Sequence, residues 1–203
     1  DKAIASYKRA IELKPDHAIV HYNLGVAYQA QGDLDKAIAS YKRAGDLDKA
    51  IASYERERAV ASYERVIELK PDDASAHYNL GLEYKAQGHL DKAIASYERA
   101  IELDPDDADA HNNLGVAYKA QGDLDKAIAT YERAIELKPD HASAHNNLGV
   151  AYKAQADALE AESGDPKQVA KLLRSAADHW EVKYGADDVD VVRARKKAAK
   201  LEV

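Results

Sequence analysis

The sequence predicts an all-α protein in which pairs of antiparallel helices stack into an array. Prolines recur at intervals of 34 residues at Pro71, Pro105 and Pro139, and glycines follow the same interval. Between these prolines, apolar residues fall at helical spacing, and the chain is 46% hydrophobic and 32% charged. A repeat of this length that carries helical apolar stripes is typical of stacked helical hairpins.

Each repeat is predicted to contain two helices that pack closely. In the first helix, Leu24, Gly25 and Tyr28 share one face. In the second helix, Ala37 and Tyr41 repeat the pattern. The small residues let the two backbones approach each other, and the tyrosine fills the space beside them.

The turns between these helices have recognisable end signals. Gly32 is predicted to close a first helix, and Asp33 is predicted to cap the second helix that follows. A proline is expected to end each second helix and to turn the chain into the next repeat. These prolines are Pro15, Pro71, Pro105 and Pro139.

One repeat carries an insertion. The separation from Pro15 to Pro71 is 56 residues, which is one repeat of 34 plus 22 extra residues. A continuous helix over 33–69 could absorb the insertion, because 22 residues make six turns plus about 40° and a glycine within a helix costs only about 1 kcal/mol. Alternatively, Gly45 and Asp46 repeat the turn and cap seen earlier, which gives a separate helix over 46–69. We favour the continuous helix, since an extra turn would reverse the order of stacking.

A protruding helix would expose apolar side chains within the insertion. The predicted set is Ile51, Tyr54, Val60 and Tyr63. Exposed apolar residues at helical spacing favour contact with a partner. Residues 45–66 are therefore a hypothetical site of homo-oligomer formation.

The end of the chain departs from the repeat. Ala156 stands where glycine is expected, so the first helix there is predicted to continue to about Glu162. A turn at 163–166 is then predicted to lead into a helix over 166–184 that stops at Gly185, with a last helix over 189–201. The predicted boundaries are 1–17 (second helix of a truncated repeat), 18–73 (repeat with insertion), 74–107, 108–141, 142–185 (divergent long-helix repeat) and 186–203 (capping helix).

Composition excludes several functional classes. A net charge of −7 and a pI of about 5.6 argue against a nucleic-acid-binding protein, which would present a basic surface. No apolar run is long enough to cross a membrane, and without a leader the expected location is cytoplasmic. The sequence has no cysteine, no phosphate-binding loop and no isolated acid–base pair, so neither a cofactor nor catalysis is expected.

The repeated residues resemble the tetratricopeptide repeat family over residues 1 to about 156. The pattern is Leu-Gly, Tyr, Gly, Ala, an aromatic residue, Ala and Pro, with histidine where the family often has tryptophan, at His21, His77, His111 and His145. The resemblance implies a right-handed superhelix, an α-solenoid, whose first helices line a groove for an extended peptide or a partner helix. The segment 180–192 is similar to the longer repeats of kinesin light chains.

An asparagine two residues before each first-helix glycine is the leading candidate for ligand binding. A separation of two residues rotates the side chain by about 200°, away from the packing stripe. An amide offers a donor and an acceptor, so a row of them could hold a peptide backbone, and the arrangement resembles the asparagine ladder of O-linked N-acetylglucosamine transferases. Alternatively, the residue was copied with the repeat and makes only local contacts. The row is Asn23, Asn79, Asn113 and Asn147.

Further residues are predicted to line the same groove. Beside the asparagines lie Tyr22, Tyr78, Asn112 and Asn146, and towards the helix ends lie Lys85, Lys119 and Lys153. The lysines have an ordinary alternative role, because positive charge is favoured at a helix C-terminus. The lysine and arginine flanks of a chaperone-tail clamp are absent from the sequence, so binding of chaperone tails is not expected.

The histidines lie one per repeat, too far apart to share a metal ion, and are expected to pack between helices. The leading prediction is a non-catalytic scaffold that binds a protein or peptide in its groove. The alternatives are a self-assembling structural scaffold and a targeting module of a larger enzyme.

Overall fold

A computed structural model of the chain describes the backbone of residues 2–15, 17–31, 33–45, 47–162 and 164–202, with all side chains except those at positions 18, 34, 38 and 47–54. The elements within these residues are all helices, so the all-α prediction is confirmed. They are α1 (Lys2–Leu13), α2 (Ala18–Ala30), α3 (Leu34–Ala44), α4 (Leu47–Leu69), α5 (Ala74–Ala86), α6 (Leu90–Leu103), α7 (Ala108–Gln121), α8 (Leu124–Leu137), α9 (Ala142–Ala161), α10 (Pro166–Tyr184) and α11 (Val189–Leu201).

The helices form two compact units, unit 1 (Asp1–Ala61) and unit 2 (Ser62–Val203). In unit 1, helix α2 packs against both α1 and α3. The core that these three helices share is built from the predicted stripes, with Ile4 added from α1. It consists of Ile4, Leu24, Tyr28, Ala37 and Tyr41.

Unit 2 alternates between first and second helices. The pairs α5–α6, α7–α8 and α9–α10 pack within repeats, and α6–α7 and α8–α9 pack between them. The first helices also contact one another, α5 with α7 and α7 with α9. The first helices therefore form one layer of the unit. Helix α11 packs on α10 and completes the unit.

A glycine in each first helix lies directly against an aromatic ring of its second helix. A methyl group added at Gly81 would lie 2.6 Å from Cδ1 and Cε1 of Tyr97. The pairs Gly25–Tyr41 and Gly115–Tyr131 show the same approach, with closest distances of 2.5 and 2.6 Å. Real carbon atoms do not approach so closely, so only glycine allows this separation of the helices.

The hydroxyl groups of these tyrosines have different environments. The Tyr41 hydroxyl donates to Oε1 of Gln29 at 2.7 Å. Within the described residues, the buried hydroxyls of Tyr97 and Tyr131 have no hydrogen-bond partner, and burial raises the pKa of both phenols. The repeats of Tyr97 and Tyr131, which have lysine in place of Gln29, therefore each keep a buried tyrosine hydroxyl without a hydrogen bond.

The prediction of one continuous helix over 33–69 is wrong. Helix α3 ends at Ala44, and Gly45 adopts a left-handed conformation with φ of 77° before α4 begins at Leu47. Glycine reaches this conformation without strain, so ending α3 there costs little. The proposed cap at Asp46 lies outside the described residues, as does the proposed stop at Gly32.

Two of the four apolar side chains predicted to be exposed in the insertion are described by the structure. The side chains of Ile51 and Tyr54 lie outside the described residues. Val60 and Tyr63 are half-buried rather than exposed. The described side chains of this segment therefore do not present the predicted open apolar stripe at Val60 and Tyr63.

The remaining helix ends follow the predicted signals. Second helices α1, α4, α6 and α8 end two residues before their prolines, and the Asp33 side chain accepts from the Lys36 amide at 3.3 Å. Asp165 caps α10, which starts at Pro166 and ends before Gly185, while Ser163 lies outside the described residues.

The divergent repeat keeps the close helix contact with a different ring. A methyl group at Gly149 would meet Nε1 of Trp180 at 2.6 Å, so tryptophan takes the place that tyrosine holds in the other repeats. Basic residues of the last helix meet carboxylates, since Arg195 contacts Asp178 and Glu181. No helix in the described part of the chain combines the length and apolarity needed for a membrane crossing.

We expect Gly81→Ala to destabilise the protein by about 1–3 kcal/mol, because the added methyl overpacks the contact with Tyr97. In an exposed helix the same change would stabilise by up to about 1 kcal/mol. Urea unfolding measures the difference. In the double variant Gly81→Ala/Tyr97→Ala, the destabilisations of the two single substitutions should not add, because the smaller side chain at position 97 removes the clash. Additive destabilisations would contradict the contact.

We expect Tyr97→Phe to raise the free energy of unfolding by about 1 kcal/mol, because it removes a buried hydroxyl without a partner. The matched change Tyr41→Phe should lower it by a similar amount, since that hydroxyl is bonded to Gln29. Chemical denaturation of both variants checks the pair. Equal losses at the two positions would show that the Tyr97 hydroxyl does find a partner.

Candidate functional site

The predicted site residues of unit 2 lie on its layer of first helices. Asn79, Asn113 and Asn147 occupy equivalent positions on α5, α7 and α9, and all three are half-buried. Each lies two residues before the glycine that contacts the second helix, so its side chain is about 200° away from that contact. The asparagine positions are therefore at the surface where neighbouring first helices meet.

Asn113 joins α7 to α5. Its Oδ1 accepts from Lys85 Nζ at 2.8 Å, and its Nδ2 donates to the Tyr78 hydroxyl at 3.0 Å. The same Nδ2 also donates to the carbonyl of Asp109 at 3.0 Å. Because an amide nitrogen carries only two hydrogens, both donors are used within the chain, and Oδ1 keeps one free lone pair.

Asn79 and Asn147 are less fully engaged. Asn79 Nδ2 donates to the carbonyl of Ser75 at 2.8 Å, within α5. Asn147 Nδ2 donates to Oδ1 of Asn112 at 3.0 Å, across the contact between α9 and α7. Within the described residues, each of these two amides keeps one N–H and its Oδ1 for another partner.

Lys85 is held in a partly desolvated position. Burial lowers its pKa below the ordinary value for lysine, and its ammonium group is bonded to Asn113. The ring of Tyr78 packs against that of Tyr97 in a tilted arrangement, with ring centroids 6.0 Å apart. Burial is also the main cause that raises the pKa of Tyr78. Lys85, Tyr78 and Asn113 thus form one connected polar cluster.

The other predicted residues of unit 2 are more dispersed. Asn112 is buried, with 8% exposure, and acts as the acceptor for Asn147. Asn146 accepts from the hydroxyl of Tyr184 at 3.0 Å. Lys153 pairs with Asp157 on its own helix at 2.5 Å. Lys119 is half-buried near the end of α7.

Two predicted residues belong to unit 1. Tyr22 is 44% exposed, and its ring lies 5.5 Å from that of Tyr41. Asn23 is half-buried on α2. The structure therefore brings Tyr78, Lys85 and Asn113 together. It separately joins Asn112 to Asn147. Tyr22 and Asn23 are described within unit 1 only.

The repeated histidines bind the proline turns. Nε2 of each ring lies near a proline carbonyl, at distances of 2.7, 2.9, 3.0 and 2.9 Å. A carbonyl can only accept, so Nε2 carries the hydrogen and Nδ1 of the neutral ring is an acceptor. The pairs are His21–Pro15, His77–Pro71, His111–Pro105 and His145–Pro139. Within the described residues, no group of three or more potential ligands could hold a metal ion.

His145 has a second partner that the sequence analysis missed. Its Nδ1 lies 3.0 Å from Nδ1 of His179 on α10. His179 also stacks on Tyr152, with ring centroids 5.8 Å apart and an angle of 19°. Because Nδ1 of His145 is the acceptor, His179 donates. No repeated motif marks His179, since α10 does not follow the pattern of the other second helices.

The chain is similar to known repeat proteins in sequence and in fold. A family model described as a TPR repeat matches residues 1–32, 57–88, 81–122 and 117–155, and one described as a tetratricopeptide repeat matches residues 18–50. No curated protein matches. The crystal structure of YrrB, described as a TPR protein with an unusual peptide-binding site, is 23% identical over 94% of this chain and 97% of that chain, with a TM-score of 0.53. This likeness shows the fold.

Two further solved structures are similar to the chain. MamA is 25% identical over 97% of this chain and 89% of that chain, with a TM-score of 0.48. The first TPR of Spaghetti, bound to an HSP90 peptide, is 18% identical over 63% of this chain and 90% of that chain, with a TM-score of 0.46.

We expect acid to weaken the contact between α9 and α10. Burial, and secondly His145, lower the pKa of His179 below its ordinary value of 6.5, although Asp178 and Glu132 oppose the shift. The folded state therefore binds fewer protons than the unfolded state. Its stability is fully present above about pH 6.5 and is lost as the pH falls through the lowered folded-state pKa.

Fluorescence of Trp180 reports this contact, because Trp180 is the chain's single tryptophan and lies against Gly149. Urea midpoints should fall between pH 7.5 and pH 5 more steeply in the wild type than in His179→Phe, which keeps a ring but does not titrate. Identical pH profiles in the two proteins would exclude His179 as the cause.

Proposed function

Because the chain belongs to the tetratricopeptide repeat family, we propose that it is a protein-interaction module that binds an extended peptide across the first helices of unit 2. The observation that carries the proposal is the free hydrogen-bonding capacity of Asn79 and Asn147. Among the residues that the structure describes, each keeps one amide N–H and one carbonyl oxygen beyond its bond within the chain. One such amide can accept from a peptide N–H and donate to a peptide carbonyl at the same time.

Asn113 has a different role in this proposal. Its two amide hydrogens are already bonded to Tyr78 and Asp109, and its oxygen accepts from Lys85. It can offer a peptide only the remaining lone pair of its oxygen. Asn113 thus braces α5 against α7, and the flanking asparagines hold the ligand.

The surface around the amides suits a peptide of ordinary composition. Leu82, Val116 and Val150 lie about one turn beyond the asparagines and are half-buried, so they offer apolar contact to side chains. Lys85 and Lys119 add positive charge near the ends of α5 and α7. Recognition through the backbone predicts tolerance of many side chains, with a preference for acidic residues beside the lysines.

Several broader properties belong to the same proposal. The module is non-catalytic, acts in the cytoplasm and binds neither nucleic acid nor membrane. In a longer protein it would act as a targeting module, and the chemistry would belong to other parts of that protein. These properties agree with the acidic composition and with the general role of the family as interaction scaffolds.

We expect the double variant Asn79→Ala/Asn147→Ala to lose affinity for peptides selected on a random-peptide array by about tenfold or more. Each lost hydrogen bond contributes about 0.5–1.5 kcal/mol, and 1.4 kcal/mol corresponds to a tenfold change in Kd. Fluorescence anisotropy with a labelled peptide measures the loss. Gln168→Ala, which removes an exposed amide from α10, should bind as the wild type does.

Unchanged affinity in the asparagine double variant would refute backbone recognition by these amides. Asn113→Ala serves as a second comparison. It should lower the stability of the α5–α7 contact and reduce affinity less than the double variant does, because its oxygen offers only one lone pair.

The alternative proposal is a structural scaffold that self-associates through residues 45–66. Its support is that most of this segment lies on α4, a separate helix of 23 residues. Light scattering over a range of concentrations should then show mass rising above the monomer, and a charged substitution at Tyr63 should suppress the rise. A constant monomer mass at high concentration would rule out this alternative.

A further inference from the structure

The same pocket occurs in both units, at the junction of a second helix with the two helices that follow. In unit 1 it lies between α1, α2 and α3 and has a volume of about 380 Å³. In unit 2 it lies between α6, α7 and α8 and has a volume of about 520 Å³. Both pockets are lined by equivalent repeat positions, which include the histidines His21 and His111, the tyrosines Tyr28 and Tyr118, and the hydroxyl residues Ser40 and Thr130.

At the next junction of unit 2, the protein covers the equivalent positions with its own side chain. His145 and Tyr152 on α9 lie 34 residues after His111 and Tyr118. The ring of His179 stacks on Tyr152 at 5.8 Å and bonds to Nδ1 of His145 at 3.0 Å. The divergent helix α10 therefore supplies a bound imidazole at this position of the repeat.

Helix α8 supplies no such ring at the pocket between α6, α7 and α8. Its residue at the pocket is Thr130, whose hydroxyl donates to the Lys126 carbonyl of its own helix at 2.5 Å. The hydroxyl is thus used within α8, and its small size leaves the pocket open. Ser40 behaves in the same way in unit 1, where its hydroxyl donates to the Lys36 carbonyl at 2.8 Å.

The groups that hold His179 at one junction are present at the other. Nε2 of His111 donates to the Pro105 carbonyl at 3.0 Å, so its Nδ1 is an acceptor, as in His145. The Tyr118 hydroxyl donates to Glu98 at 2.5 Å, and the Tyr152 hydroxyl donates to Glu132 at 2.6 Å. These bonds fix both tyrosine rings in the same manner.

Lys126 covers the Tyr118 ring in the structure, with Nζ 5.2 Å from the ring centroid. Its side chain is 62% exposed and pairs with Asp123. An exposed cation–π contact contributes only about 0.5–1 kcal/mol, and the lysine can keep its ion pair when a ring takes its place. The covering is therefore exchangeable.

We propose that the pocket between α6, α7 and α8 binds a histidine side chain of a partner protein. The imidazole stacks on Tyr118 and donates a ring N–H to Nδ1 of His111, as His179 does at Tyr152 and His145. This site is separate from the asparagine surface, because His111 and Asn113 point about 200° apart on α7.

The probe for this site is N-acetylhistidinamide, used at pH 8, where the imidazole is neutral. NMR of the imidazole nitrogens in the full chain should show a saturable shift of His111 Nδ1. N-acetylasparaginamide, a polar amide without a ring, should produce none. The double variant Asn79→Ala/Asn147→Ala should respond as the wild type does, which separates this site from the proposed peptide groove.

Two variants test whether the pocket is the binding site. Thr130→His places an imidazole on α8 where His179 stands on α10, so the probe should no longer shift His111, whereas Thr130→Ser should keep the response. Tyr118→Leu keeps apolar volume without a stacking surface, and its Kd for the probe should rise at least tenfold. This second variant remains informative when Thr130→His fails to fold.

The complementary variant opens the occupied junction. His179→Ser places at that position the residue found at Ser40 and Ser96, and the probe should raise its melting temperature more than that of the wild type. The proposal is overturned when His111 gives no saturable shift, even if His179→Ser responds to the probe. It is also overturned when Thr130→His leaves the shift of His111 unchanged.

Discussion

The close approach of a first-helix glycine to an aromatic ring on the second helix sets the geometry of every repeat. Gly25, Gly81 and Gly115 face tyrosines, and Gly149 faces Trp180, with no space for even a methyl group between them. Because the ring is held against a backbone, the two helices have one separation and one rotation about their axes. The remaining contacts of the repeat depend on this arrangement.

Once that face of the first helix is fixed, its other side chains are assigned to definite surfaces. The asparagines two residues before these glycines lie where neighbouring first helices meet. There Asn113 bonds to Tyr78, and Asn147 bonds to Asn112. Histidines two residues earlier still bond to the proline turns, and in His145 the other ring nitrogen contacts the second helix α10. One repeated sequence therefore generates two separate polar surfaces, a row of amides and a series of pockets.

Much of this could be predicted from the sequence, because the repeat keeps the same signals at the same spacing. The helix ends, the glycine contacts and the histidine packing all follow from residues that recur. The break at Gly45 is the less favoured of two alternatives in the sequence, because a glycine inside a helix costs little and the register favours continuity. The left-handed turn at Gly45 ends α3 at equally little cost. Contacts between repeats, such as Lys85 with Asn113, could not be predicted, because they depend on distances across the stack. The His145–His179 contact could not be predicted either, because His179 lies on α10, a helix without the repeat pattern.

The most direct measurement of the central contact is the NMR shift of glycine α-protons in the intact chain. A proton that stands where a methyl would strike an aromatic ring experiences the ring current, so at Gly81, Gly115 and Gly149 the α-proton resonances should lie well upfield of ordinary glycine values. Gly88, Gly122 and Gly185, which have nothing within 4 Å at the same position, should not be shifted. Similar shifts in the two groups would contradict the account.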